Sequence, residues 1–108
     1  MAQAQFVSDG LLIDHTPGSA VAAGEVVVQG DLVAVAPSPI AAGETRSLCV
    51  RGVFDCAKST GVAYTVGQLL YWDNTNKVVT ATATGNKLLG KVVVAAASAD
   101  VIVRVLVG

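Results

Sequence analysis

Leu69-Leu70-Tyr71-Trp72-Asp73-Asn74-Thr75-Asn76-Lys77-Val78-Val79-Thr80 is the stretch whose reading decides the fold. A short apolar and aromatic run stops at four residues that favour turns, and a β-branched run returns from them. That order predicts a hairpin. A second turn at Gly85-Asn86 leads into a further apolar run, so a third strand is expected to follow. Tyr71 and Trp72 are adjacent, and on a strand adjacent side chains point to opposite faces. One ring should enter the core and the other should face outward.

The same pattern extends in both directions. Glu25-Val26-Val27-Val28 and Leu32-Val33-Ala34-Val35 flank Gln29-Gly30-Asp31, which predicts a tight hairpin. Ala36-Pro37-Ser38-Pro39 ends it, because proline cannot donate into a ladder. Residues 46–54 predict one further strand, with Leu48, Val50 and Phe54 on one parity and Gly52 marking a bulge or close approach. Upstream, Leu11-Leu12-Ile13 is a short apolar run ended by a turn at His15-Thr16-Pro17-Gly18. Residues 57–61 allow one helical turn closed by glycine. Val101-Ile102-Val103-Arg104-Val105-Leu106-Val107 is apolar on both faces, as a central or covered strand would be. No segment of ten residues has a helical period. The fold class is therefore all-β, a small, mainly antiparallel sandwich or barrel. Residues 1–10 carry no strand pattern and are expected to form an extended arm, with residues 11–108 as a single β domain.

Composition adds a surface argument. Of 108 residues, 53% are hydrophobic and only 14% charged, against roughly 25% charged in ordinary domains. A chain this short cannot hide that much apolar surface, so self-association is expected. Seven Lys and Arg stand against eight Asp and Glu with no basic stripe, which leaves direct nucleic-acid binding without support. No apolar run approaches the ~20 residues of a membrane helix, and no export signal is legible at the start. Cys49 and Cys56 suit a reducing cytoplasm, and both read as small buried hydrophobes.

Catalytic signals are weak. Gly85-Asn86-Lys87-Leu88-Leu89-Gly90-Lys91-Val92 comes within one residue of a phosphate-binding loop. Val92 replaces the hydroxyl that would hold magnesium, and the motif runs into a β-branched stretch where it should open a helix. His15 is the single histidine, so neither a His-based metal cluster nor a second catalytic imidazole is available. The carboxylates stand singly beside turns. Asp73-Asn74-Thr75-Asn76 lacks the alternating acidic ligands and closing Glu of a calcium loop. No cofactor and no metal are expected, and the protein is not read as an enzyme. A carbohydrate-binding surface on Tyr71 or Trp72, or a phosphate or nucleotide site on residues 85–91, is the alternative reading.

The run Gly52-Val53-Phe54-Asp55, then Lys58 with Thr60-Gly61, then Val66-Gly67 and Leu70-Tyr71-Trp72-Asp73, resembles small tailed-phage capsid-decoration, or cement, proteins. That family was long filed as a domain of unknown function and sometimes mislabelled recombinase-like. Lys77-Val78-Val79-Thr80 and Thr84-Gly85-Asn86 with Leu89-Gly90 extend the resemblance, which runs from about Gly24 to the C-terminus. Gln68 departs from it, since an acidic residue is expected there. The resemblance implies a structural virion protein on the outer capsid surface, made in the host bacterial cytoplasm. It would bind the major capsid protein and staple neighbouring subunits of the expanded head, with self-association as a homotrimer favoured over a dimer. No nucleic acid or membrane partner is implied. Ala2, Gln3, Ala4, Gln5, Phe6, Val7 and Trp72 are the residues expected to touch capsid or a neighbouring subunit, the arm by adding a strand to an open sheet edge.

Overall fold

A computed structural model describes residues 3–6, 8 and 10–108. Nine strands form two antiparallel sheets, and there is no helix among the described residues. In chain order they are β1 (Leu12–His15), β2 (Val26–Gln29), β3 (Leu32–Val35), β4 (Arg46–Cys49), β5 (Gly52–Ala57), β6 (Leu69–Asp73), β7 (Val78–Thr80), β8 (Lys87–Val94) and β9 (Ile102–Val107). The four-stranded sheet runs β1-β4-β3-β2 and the five-stranded sheet runs β5-β9-β8-β6-β7. The hairpins expected at 26–35 and 69–80 are both present. The strand after Gly85-Asn86 lies on the far side of β6 from β7 and carries a register shift opposite Leu70/Tyr71.

The five-stranded sheet curls on itself. Lys58, one residue past β5, forms a parallel bridge with Val79 of β7, so the first and last strands of the sheet meet. Strand alternation fills the space inside: Val103, Val105 and Val107 of β9 are buried while Ile102, Arg104 and Leu106 are exposed. Leu70, Trp72, Val79, Leu89 and Val92 complete the interior, and Val33, Val26 and Val28 of the β2–β3 hairpin pack against it from the other sheet. The opposite face of the four-stranded sheet has its own small core, in which Ala34 and Leu48 meet Val21, Ala36 and Ile40. A thin sheet covered unequally on its two sides gives an elongated body of 49 × 33 × 23 Å.

Three local expectations change. The single strand expected over 46–54 is two strands in different sheets, because the chain turns a corner at Val50-Arg51. Leu48 serves the small core and Phe54 the larger one. Sheet-switching bends of this kind are how orthogonal corners are made. The two cysteines expected as small buried hydrophobes fall in separate sheets, Cys56 buried and Cys49 half-buried. No helical turn forms at 57–61, where the chain is a loop held to residues 98 and 101 by backbone hydrogen bonds from Gly61 and Lys58. His15 belongs to β1, paired with Arg46, rather than to the turn that follows.

Gly90 is fixed by packing. A Cβ there would overlap the Leu106 carbonyl oxygen of the neighbouring strand, and backbone cannot move aside as a side chain can. Gly90→Ala should therefore destabilise the fold by about 3 kcal/mol or more, within the range of severe overpacking. Gly18→Ala, with nothing nearby, should lie within about 0.5 kcal/mol of the parent. Urea unfolding followed by tryptophan fluorescence reads both.

Candidate functional site

Gln3, Ala4, Gln5 and Phe6 lie outside every strand and are exposed, with Phe6 exposed to 80%. Ala2 and Val7, expected to share their role, lie outside the described residues. The chain then enters β1, which among the described residues has a strand partner on one side only, and Leu11 and Leu12 are themselves about half exposed. An edge strand led by an exposed apolar segment is a template for pairing with another chain.

The aromatic pair divides as adjacent strand residues must. Trp72 points into the curled sheet, 5% exposed, and its indole N–H donates to Asn74 Oδ1 at 3.3 Å. It offers no face to a partner in this fold. Tyr71 is half-buried on the outer side, opposite Thr80 and Leu88. The turn between them and β7 is held by Asp73, whose carboxylate accepts the Asn76 and Thr75 N–H groups at 3.1 and 3.0 Å and the Asn76 amide at 2.8 Å. Those bonds, from the Asn76 backbone first and then its side chain, hold the Asp73 carboxyl below the usual carboxylate range. The carboxylate is spent on the turn.

Lys58 is the one buried charged side chain among the described residues, 4% exposed. Its Nζ donates to the carbonyl oxygens of Asp100 at 2.7 Å, Ser59 at 3.0 Å, Ala97 at 3.2 Å and Ser98 at 3.5 Å. An ammonium has three protons, so the longest contact is shared. The Tyr64 ring lies 5.9 Å away, within cation–π range. No carboxylate pairs with Lys58 among the described residues; backbone dipoles, with the Tyr64 ring, compensate its burial. The amine is committed to fastening two connections together, 58–64 and 96–101, which Gly61 N to Ser98 O at 2.7 Å and the Tyr64↔Ala96 bridge also join.

The remaining candidates do not converge. Residues 87–92 of the phosphate-loop pattern are strand β8, so no helix N-terminus gathers free N–H groups there. His15 makes no side-chain hydrogen bond among the described residues. The Cys56 thiol is pushed up to about 11, mainly by burial and secondarily by the Asp55 charge, which is the reverse of what a nucleophile needs. No group of three or more His, Cys, Asp or Glu able to hold a metal occurs among the described residues. One concavity of about 670 Å³ is a mostly apolar seam between β2 and β5 lined by Val26, Val35, Phe54, Cys56, Trp72 and Lys77.

One feature escaped the sequence reading although its signal is plain in the letters. Ala22-Ala23-Gly24-Glu25 and Ala41-Ala42-Gly43-Glu44 are the same word, and Thr65-Val66-Gly67-Gln68 is a variant of it. Each is a four-residue turn with its glycine at positive φ in third place, as a type II turn requires. In each, the fourth residue's N–H bonds to the first carbonyl and its side-chain oxygen accepts the first N–H: Glu25 from Ala22, Glu44 from Ala41, Gln68 from Thr65. Gln68, the departure from the expected acidic residue, keeps the acceptor and loses only the charge.

Among known proteins, the family model described as phage cement protein matches residues 7–107 of the chain. No curated protein and no solved structure matches the chain.

Lys58→Met should cost about 3 kcal/mol or more by removing the charge-assisted hydrogen bonds that fasten the two connections, and Lys58→Arg should not rescue it, since a planar fork does not fit a ring of four oxygens. Amide hydrogen exchange at Gly61 and Tyr64 should accelerate in both variants. Iodoacetamide at pH 8 should leave Cys56 unmodified in the native protein and label it after unfolding, as peptide mass mapping would show.

Proposed function

Because the chain belongs to the phage cement protein family, we propose that it binds the outer surface of the capsid and bridges neighbouring capsid subunits, stabilising the expanded head. Family membership itself implies a structural, capsid-binding role in the virion. The finer reading rests on one observation: Phe6, Leu11 and Leu12 are exposed to 80, 56 and 52% and lead into an edge strand. Such a segment gains by pairing with another sheet and burying its apolar side chains there. Residues 1–10 act as the arm and residues 11–108 as one rigid β domain. The contact falls to the arm, because Trp72 is packed inside.

Self-association, through apolar surface the fold leaves uncovered, adds a second set of contacts. Repeated over a shell, individually weak contacts give a large total stabilisation by effective concentration. Synthesis in the host cytoplasm suits two cysteines that remain thiols.

Deleting residues 1–10 should reduce occupancy on purified expanded heads at least tenfold, measured by cryo-EM of decorated particles, while circular dichroism of the free protein stays unchanged. Undiminished occupancy would overturn the arm's role.

A further inference from the structure

The outer side of the β5–β9 ribbon is unusual for an exposed surface. Its side chains are paired across the strands as Val53 with Leu106, Asp55 with Arg104 and Ala57 with Ile102. All six are exposed: Val53 to 55%, Leu106 to 43% and Ile102 to 52%, with the Asp55 and Arg104 side chains about half exposed around a 2.9 Å ion pair. The net charge of the patch is zero, and each row joins unlike partners.

We infer that this ribbon is the surface on which two copies of the chain pair, about a two-fold axis that runs along the strands between β5 and β9. Such an axis lays every row over its own reverse. Val53 of one copy meets Leu106 of the other, Ala57 meets Ile102, and Asp55 meets Arg104 twice. A patch that is complementary to itself is what an isologous contact demands, whereas a trimer would need two different surfaces. The Asp55–Arg104 row lies at the centre, so the ~30° offset of packed sheets leaves it in register while the outer rows diverge.

Area agrees with a modest pair. Six half-exposed residues present on the order of 500 Å² per copy, or about 1,000 Å² in total, which is at the lower limit for a specific interface. The pair is therefore weak in dilute solution and strengthened where a shell holds many copies close together. The inference deepens the self-association read above, narrowing it to a dimer, and its test needs no capsid.

Sedimentation velocity of the full chain across concentrations up to about 1 mM should show a dimer fraction that rises with concentration. Asp55→Arg puts Arg over Arg, and Arg104→Asp puts Asp over Asp, so each variant alone should dimerise at least tenfold more weakly. An equimolar mixture restores both contacts in trans and should recover affinity to within about threefold of the parent. Val53→Glu tests the same face without touching the ion pair, should either charge variant fail to fold by circular dichroism. A parent that stays monomeric throughout, variants that dimerise like the parent, or a mixture that fails to recover would each overturn the pairing. Head occupancy measured on the same proteins separates the two readings. A monomer that still decorates heads removes the dimer and leaves the capsid role standing, and a dimer that ignores heads does the reverse.

Discussion

The Lys58 ammonium and its ring of carbonyl oxygens hold the five-stranded sheet in its curled form. Burying an ammonium costs several kcal/mol even after relaxation, and a carboxylate partner would have to be desolvated as well. Here the compensation comes from peptide dipoles of residues 59, 97, 98 and 100, with the Tyr64 ring alongside. Each oxygen that accepts from Nζ is one fewer unpaired acceptor in a connection with no ladder of its own. The same residue supplies the bridge to Val79 that brings β5 against β7. Loss of the side chain would thus loosen two connections and the closure of the sheet together.

The connections elsewhere are stiffened by a different device. The four-residue turns at 22–25, 41–44 and 65–68 tie both ends of the turn through one backbone and one side-chain bond. Residues 97–100 repeat the arrangement, with Asp100 accepting from the Ala97 N–H at 2.8 Å and donating its own N–H to the Ala97 carbonyl. A protein this poor in charged residues spends Glu25, Glu44, Asp73 and Asp100 on turn geometry and Asp55 and Asp31 on surface ion pairs with Arg104 and Lys87. That allocation commits six of the eight carboxylates to turns and ion pairs.

What the sequence made legible follows range of interaction. Hairpins depend on neighbours within a dozen residues, and both emerged from alternation and turn chemistry. The corner at Val50-Arg51 did not, because residues 46–57 keep one parity while the two cores they serve lie in different sheets. Nor did the role of Lys58, whose partners other than Ser59 are about forty positions away; an isolated lysine in a loop reads as solvated. The Tyr-Trp pair was legible as a division between inside and outside, but not as to which ring went in. That depends on the register of β6 against β8, which the shift at Leu70/Tyr71 sets. The repeated turn word is legible in the letters, but at four residues it is a turn signature and not a structural repeat of the length that defines repeat folds.

The surplus of apolar residues is thereby divided among two cores and two kinds of surface. Inside the curled sheet, Val, Leu and Trp72 are consumed by packing. On the small core, Ala and Ile40 suffice because loops rather than a third sheet cover it. Of what remains exposed, Phe6, Leu11 and Leu12 lie on the segment leading into β1, Val53, Ile102 and Leu106 on the outer side of β5 and β9, and Leu69, Leu88 and Val94 on β6 and β8. An extended segment can adapt to a partner's edge at the cost of ordering entropy, whereas a ribbon held by a fastened sheet is pre-organised and loses little on contact. On the reading proposed above, a body that bridges capsid subunits would gain from both: a rigid contact would resist displacement, and an adaptable one would follow a change in the shell's curvature.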